Sequence, residues 1–406
     1  NIRSNINILI FFLLVTLLYS PISTYLSVLF FSEYIQGYLF YSGAADTYLL
    51  GKVFQPSLFG VLFITSIYFF LVGRWIVASL CIGIVCNIHS TFLLTGASLT
   101  IAYMAIFYFK EKNFYKSLTI GTFNLILVSP ILISLLFAIT SQIETAEAYN
   151  IQINLRAPHH HLITHWFGYD DIARLIVIFL ALIVTYRSNL FIILVVPFFV
   201  CIFLTLIQFF SNSEFLAMLM PWRITAILLP LSFFLLLVKV LELILNRYFQ
   251  RQLFKKIFCL ILLVGVLFST FLGIKNFNKS YHNYYSKNYS EMMKYISNNK
   301  DSQDIYFIPT NLNEFRLRTG SPIFIDFQLS PQLSGDKMEW YRRINKSKEI
   351  NSAINENDCL SLTKLIEAKE FTHIVFFNQQ DIKCKFLELE YADDYFKVVE
   401  ININNL

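Results

Sequence analysis

Charge is scarce in this chain. Asp, Glu, Lys and Arg make up 15% of its 406 residues against 56% hydrophobic ones, which excludes a solvated globular protein, whose charged share is about 25%. Cysteines number six and none stands in a Cys-x-x-Cys pair, nor is there a His-Glu-x-x-His run. A dense disulfide framework and the recognised zinc signatures are therefore excluded. Acidic residues are almost missing from the apolar half, and Asp46 is alone between Glu33 and Glu111. No cleavable signal peptide with a small-residue site is apparent, and the first residue is Asn1, which leaves room for residues upstream.

What is present is a series of long uncharged runs, with 17% aromatic residues and a mean hydropathy of +0.56. Crossing about 30 Å of hydrocarbon at about 1.5 Å per residue takes close to 20 apolar residues. On that measure the chain holds about nine spans, at 7–30, 57–73, 75–89, 91–109, 117–140, 172–186, 189–210, 223–246 and 257–274. The pair between Gly73 and Phe109 is short enough to be one crossing and a re-entrant hairpin instead, but charge placement favours two crossings. With nine, the basic connections Arg3, Arg74, Lys110–Lys116, Arg187 and Arg247–Lys256 fall on one face, which the positive-inside bias makes cytoplasmic. The net charge of +5 thus reports orientation, and nucleic acid is not an expected partner.

This topology puts the N-terminus inside and the C-terminus outside. Loops 31–56, 141–171 and 211–222 of the membrane domain, residues 1–274, then share the outer face with a tail, residues 275–406. After Lys275 no span-length apolar run occurs, and alternating helix and strand patterns suggest a small soluble α/β domain. Helices are expected at 289–298 and 360–368, and strands at 304–309, 323–327 and 372–377. Cys81, Cys86, Cys201 and Cys259 lie in spans as apolar packers. Cys359 and Cys384 lie in the tail, where an oxidising compartment leaves them free to pair or not.

The outer-face polar groups are the candidate site. Asp46, in Tyr41-Ser-Gly-Ala-Ala-Asp-Thr-Tyr48, is either a base or cation ligand, or a helix cap. Gln55 precedes the helix-starting Pro56-Ser57. His89 ends the third span and is either a proton or phosphate group or an interfacial hydrogen-bonding residue. Arg156 with His159, His160 and His161 gathers a bidentate fork and imidazole donors of the kind that hold phosphate, whereas metal ligation by these histidines has no recognised spacing. Asp170 and Asp171 head a span as caps. Trp222 and Arg223 suit the headgroup zone, and Lys239 and Glu242 are spaced to pair. In the tail, Arg316, Arg318, Trp340 and Arg342 either cover a phosphate or sugar, or are ordinary surface groups, and His373 is a structural residue.

The stretches Asp46–Ser57, Asn87–Ser90, Arg156–His160, Pro221–Arg223 and Phe315–Arg343, together with the architecture of the whole chain, resemble the GT-C class of membrane glycosyltransferases and a group of bacterial multi-pass membrane proteins. The resemblance implies an inner (plasma) membrane enzyme with an extracytoplasmic C-terminal domain. It implies a polyprenyl-phosphate-linked sugar as donor and an extracytoplasmic glycan, lipid or protein as acceptor. Asp46 would be its catalytic carboxylate, Arg156, His159, His160 and Arg223 its donor-phosphate ligands, and a divalent cation, Mg or Mn, a further component. Many members carry two acidic residues in the first outer loop, whereas here Ala44 and Tyr48 flank Asp46. Two other functions remain open: a polymerase or ligase of lipid-linked surface polysaccharide, and a transporter or flippase of a lipid-linked or anionic solute.

Overall fold

The computed structural model of the chain describes residues 5–20, 22, 42–49, 56–140, 145–247, 252–285, 288–331, 333–366, 370–380 and 382–402. It divides into two compact units. One comprises Asn1–Ser141 with Gln152–Lys275, the other Gln142–Ile151 with Asn276–Leu406. The short piece 142–151, part of the 141–171 loop in the sequence reading, thus belongs to the second unit.

The first unit is helical. Each apolar run of the sequence falls on a helix: Asn5–Leu18, Val61–Leu71, Trp75–Ile88, Leu93–Ala105, Phe114–Thr140, Tyr169–Thr185, Asn189–Ser211, Thr225–Arg247 and Gln252–Tyr285. Residues 23–30 of the first expected span lie outside the described residues. Five stretches are long and apolar enough to cross a bilayer: Ser90–Lys110, Phe114–Phe137, Asn189–Ser211, Glu214–Leu245 and Gln252–His282. The protein is accordingly integral to a lipid bilayer, where only a helix satisfies its own backbone polar groups.

Packing in this unit is by interdigitated aromatic and aliphatic side chains. One buried cluster gathers Phe63, Ile82, Phe92, Leu99 and Tyr103, with the Phe70 and Tyr103 rings stacked at 3.9 Å. A second joins Ala44, Ala45, Ile178, Leu194, Trp222 and Leu228. Some polar side chains tie helices together: the Ser66 hydroxyl donates to the Ala78 carbonyl at 2.8 Å, and the Asn124 amide to Ser79 Oγ at 3.2 Å. Lys239 and Glu242 pair at 3.2 Å, as their spacing suggests.

The second unit is α/β. Strands β1 (Tyr306–Phe307), β2 (His373–Phe377), β3 (Leu387–Ala392) and β4 (Phe396–Ile401) form a sheet in the order β1-β2-β4-β3. β1 is parallel to β2, and the other pairs are antiparallel. Apolar clusters cover both faces. Ile350, Leu362 and Phe371 lie in one, and Met292, Ile296 and Phe315 in the other. Helix Thr145–Asn150 packs on helix Ser334–Glu356 within this unit. Cys359 and Cys384 form a disulfide.

Three sequence expectations change here. Residues 323–327 are not a strand, and only Ile323 bridges to Tyr306. Asp326 diverts the chain, its carboxylate accepting from the Leu329 amide at 2.6 Å and its carbonyl from Trp340 Nε1 at 3.0 Å, a local turn that competes with a strand ladder. The strands β3 and β4 and the long helix Ser334–Glu356 supply structure where none was expected.

Candidate functional site

Four segments of the first unit converge: Ser42–Tyr48, Pro158–Trp166, the start of helix Tyr169–Thr185 and the turn Pro221–Thr225. Each has a local cause. Pro158 opens a short helix ending at His161, its ring preset for a first helical position. Gly168 caps helix Tyr169–Thr185, and the Asp171 carboxylate reaches back to accept from the Gly168 amide at 3.1 Å. The capping role expected of this aspartate is what it performs. Met220 takes a left-handed conformation ahead of Pro221, closing the loop into a 3₁₀ turn.

The segment carrying Asp46 is a tight loop. Ser42 and Tyr48 bridge its two ends, the Gly43 amide donates to the Thr47 carbonyl at 2.6 Å, and Ala45 sits at φ 56°, in the left-handed region. Only glycine fits at position 43, because a Cβ there would lie 2.3 Å from the Ala226 backbone nitrogen. The Ala44 amide donates to Thr225 Oγ1 at 2.7 Å. Asp46 ends the 3₁₀ turn Ala44–Asp46; its side chain lies outside the described residues, as does all of Gln55.

The histidine loop closes over this turn. His160 Nδ1 donates to the Ala45 carbonyl at 3.0 Å, and Trp222 Nε1 donates to the His160 carbonyl at 2.9 Å. His159 stacks on His160 with ring centres 4.1 Å apart. His161 is fully buried and donates to the Ala217 carbonyl at 3.0 Å, a structural tie between loops.

Two cavities adjoin at this point. A polar one of about 420 Å³ has His159, His165, Asp170 and Arg174 on its wall together with Ala45. An apolar one of about 340 Å³ is walled by Leu175, Cys201, Leu206, Phe209 and Trp222, with Ala44. Trp166 and Asp171 line both. The Trp166 ring lies 5.0 Å from that of Trp222, and its buried Nε1–H has no acceptor among the described residues.

Beneath the turn lies a buried ion pair. Arg174 Nη1 donates to Asp171 Oδ1 at 2.8 Å and Nη2 to Ser42 Oγ at 3.1 Å. Asp171 and Arg174 are 3% and 6% exposed. Sequence reasoning took Asp171 for a cap and passed over Arg174 and Ser42. The signal was there in a charged pair three apart on an otherwise apolar helix.

The other candidates lie elsewhere. Arg156 ends the π-helical turn Ile151–Arg156, half-buried, and is not on the wall of either cavity. Arg223 turns away from Trp222 and stands over the Phe92 ring at 5.9 Å. His89 meets the same ring edge-on at 5.3 Å and bonds Thr91 Oγ1 at 3.0 Å. In the second unit, Arg316 is exposed. Arg318 pairs with Glu314 at 2.8 Å, Arg342 pairs with Glu339 and Glu370, and Trp340 is buried against Phe327. The last three are committed to the fold. His373 is buried, stacked on Tyr306 at 4.7 Å, as expected of a structural residue.

Asp171 is bound to Arg174, and among the described residues no group of three or more His, Cys, Asp and Glu side chains converges.

Among known families, residues 287–347 match a model described as a domain of unknown function, DUF6798. The match covers helix Ser290–Asn299, β1 and the start of helix Ser334–Glu356, all in the second unit. No curated protein matches the chain.

Proposed function

We propose that this protein is a membrane glycosyltransferase that moves a sugar from a polyprenyl-phosphate-linked donor to a glycan, lipid or protein acceptor outside the cytoplasm. The observation that carries the reading is the joined pair of cavities, one polar and one apolar, with the Asp46 turn and the histidine loop at their junction. A ligand with a polar head on a long apolar chain is what such a pair accommodates. The orphaned indole N–H of Trp166 at the junction offers a donor to that head, since buried polar groups normally find a partner. The Cys359–Cys384 disulfide supports an oxidising, extracytoplasmic setting for the second unit.

In this reading the isoprenoid chain lies in the apolar cavity and the phosphate lies in the polar one, beside His159 and His165. Asp46 takes the proton of the acceptor hydroxyl as its oxygen attacks the anomeric carbon. The bond from that carbon to the phosphate oxygen breaks, its electrons leave with polyprenyl phosphate, and the imidazoles meet the developing charge, the kind of preorganised stabilisation that lowers a barrier most.

The test is binding and turnover measured separately on protein in lipid nanodiscs. Polyprenyl phosphate binds the unaltered protein, His159→Ala with His160→Ala weakens it at least tenfold, and Asp46→Asn keeps binding while cells carrying it lose the glycan product. Retained product in Asp46→Asn favours the polymerase or ligase, and absence of polyprenyl phosphate binding overturns the reading.

A further inference from the structure

The buried Asp171–Arg174 pair takes no part in the transfer steps above, yet it is the most expensive polar feature of the first unit. Burying two charges is repaid only where geometry is good and the remaining lone pairs and protons are satisfied. Here three of the pair's partners are on the loop that carries Asp46 or on the cap beside it: Ser42 Oγ accepts from Arg174, the Gly168 amide donates to Asp171, and the Ala45 amide faces the same carboxylate. From the other side Thr225 accepts from Ala44 and His160 donates to Ala45. The loop is therefore gripped from three elements at residues 42, 44 and 45, immediately before Asp46, and Ala45 is held in a left-handed conformation that a non-glycine residue rarely adopts unaided.

We propose that Asp171 and Arg174 are positioning residues: the pair clamps the Ser42–Ala45 segment and so fixes the backbone that leads into Asp46. It rests on the transferase reading for what Asp46 does, but the clamp itself is a statement about the loop and is tested without activity. Arg174 also lies on the polar cavity wall, so a direct phosphate ligand is the rival role to be separated.

The experiment places a cysteine at Tyr48, 39% exposed at the far end of the loop, and another at Leu317, 82% exposed in the second unit, as a control. Labelling by a maleimide in nanodiscs is compared in the parent, Ser42→Ala, Arg174→Lys and the apolar double variant Asp171→Leu/Arg174→Met. The double variant leaves no orphaned charge and so retains the fold where a single deletion fails. The clamp predicts labelling at position 48 at least tenfold faster in the double variant, severalfold faster in Ser42→Ala, partly restored in Arg174→Lys, and unchanged at position 317. Polyprenyl phosphate affinity stays within threefold in Ser42→Ala, whose side chain is on neither cavity wall. Unchanged labelling at position 48 overturns the clamp, and lost phosphate binding with unchanged labelling makes Arg174 a ligand instead. Faster labelling in the double variant, with a parent that never binds polyprenyl phosphate, upholds the clamp and rejects the transferase reading.

Discussion

The two units use charge in opposite ways. In the second, Arg342, Arg343 and Lys346 share Glu339 and Glu370, half-exposed around Glu339 and more covered where Lys346 meets Glu370. Water screens these pairs, and each contributes little. In the first unit, among the described residues, Lys116–Glu111 and Lys239–Glu242 are solvent-exposed pairs, and only Arg174–Asp171 is buried, with 7% and 4% of the two side chains accessible. The same chemistry is dispersed where the dielectric is high and concentrated where it is low. Where it is concentrated, it bears on the position of one loop.

The contrast is sharpest under single deletions. Arg174→Gln, which strands the Asp171 carboxylate, destabilises the membrane unit by about 3–5 kcal/mol, read as a fall in thermal midpoint in nanodiscs; Arg342→Ala costs the second unit less than about 1 kcal/mol. Equal losses would dissolve the comparison. Next in size, Asp46→Asn lowers transfer by about 10² to 10⁴, the range for a general base, with binding of polyprenyl phosphate intact. Reducing the Cys359–Cys384 bond, which spans 25 residues, costs the second unit about 3 kcal/mol, measured by its unfolding in denaturant with and without reductant. Gly43→Ala drives a methyl into the Ala226 backbone and costs about 1–3 kcal/mol, with faster labelling of the loop.

The smallest effect is one of pH. Hydrogen bonds from Arg342, and then Arg343, hold Glu339 down at about 2, against the opposing effect of burial. A depressed carboxylate stabilises the fold above its unfolded value, about 4.3, and that contribution fades as pH falls from there toward 2. Because Glu339 is 43% accessible, the loss is under about 1 kcal/mol. It disappears in Glu339→Gln, as acid titration of the second unit's stability will show.

How much of this was legible in the sequence differs between the units as well. Among the described residues every apolar run is helical, since in hydrocarbon a helix satisfies its own backbone, but only five stretches, not the nine expected, are long and apolar enough to cross a membrane. In the second unit the alternation Leu387-Glu-Leu-Glu-Tyr391 is a strand that was passed over, since its acidic residues are exposed on an edge rather than hidden in a core. Conversely Ile323-Phe-Ile-Asp-Phe327 has strand composition, yet Asp326 makes it turn. At the site, the histidine loop announced itself by composition, and its approach to the Asp46 turn is seen at His160. Arg156 and Arg223 were grouped with it by charge, but nearness in sequence did not bring them to the cavity wall. Ser42, Thr225 and Arg174 were invisible because their significance is a matter of which atoms meet across 130 to 180 residues, as Arg174 with Ser42 (132 apart) and Thr225 with Ala44 (181 apart) do.

The most direct test of the account is an experimental structure in lipid with polyprenyl phosphate bound. The account predicts phosphate density in the polar cavity within hydrogen-bonding reach of His159 or His165, the isoprenoid running past Trp166 into the cavity walled by Cys201 and Phe209, and the Asp46 carboxylate facing the phosphate. Phosphate bound elsewhere, with Asp46 turned from both cavities, would contradict it.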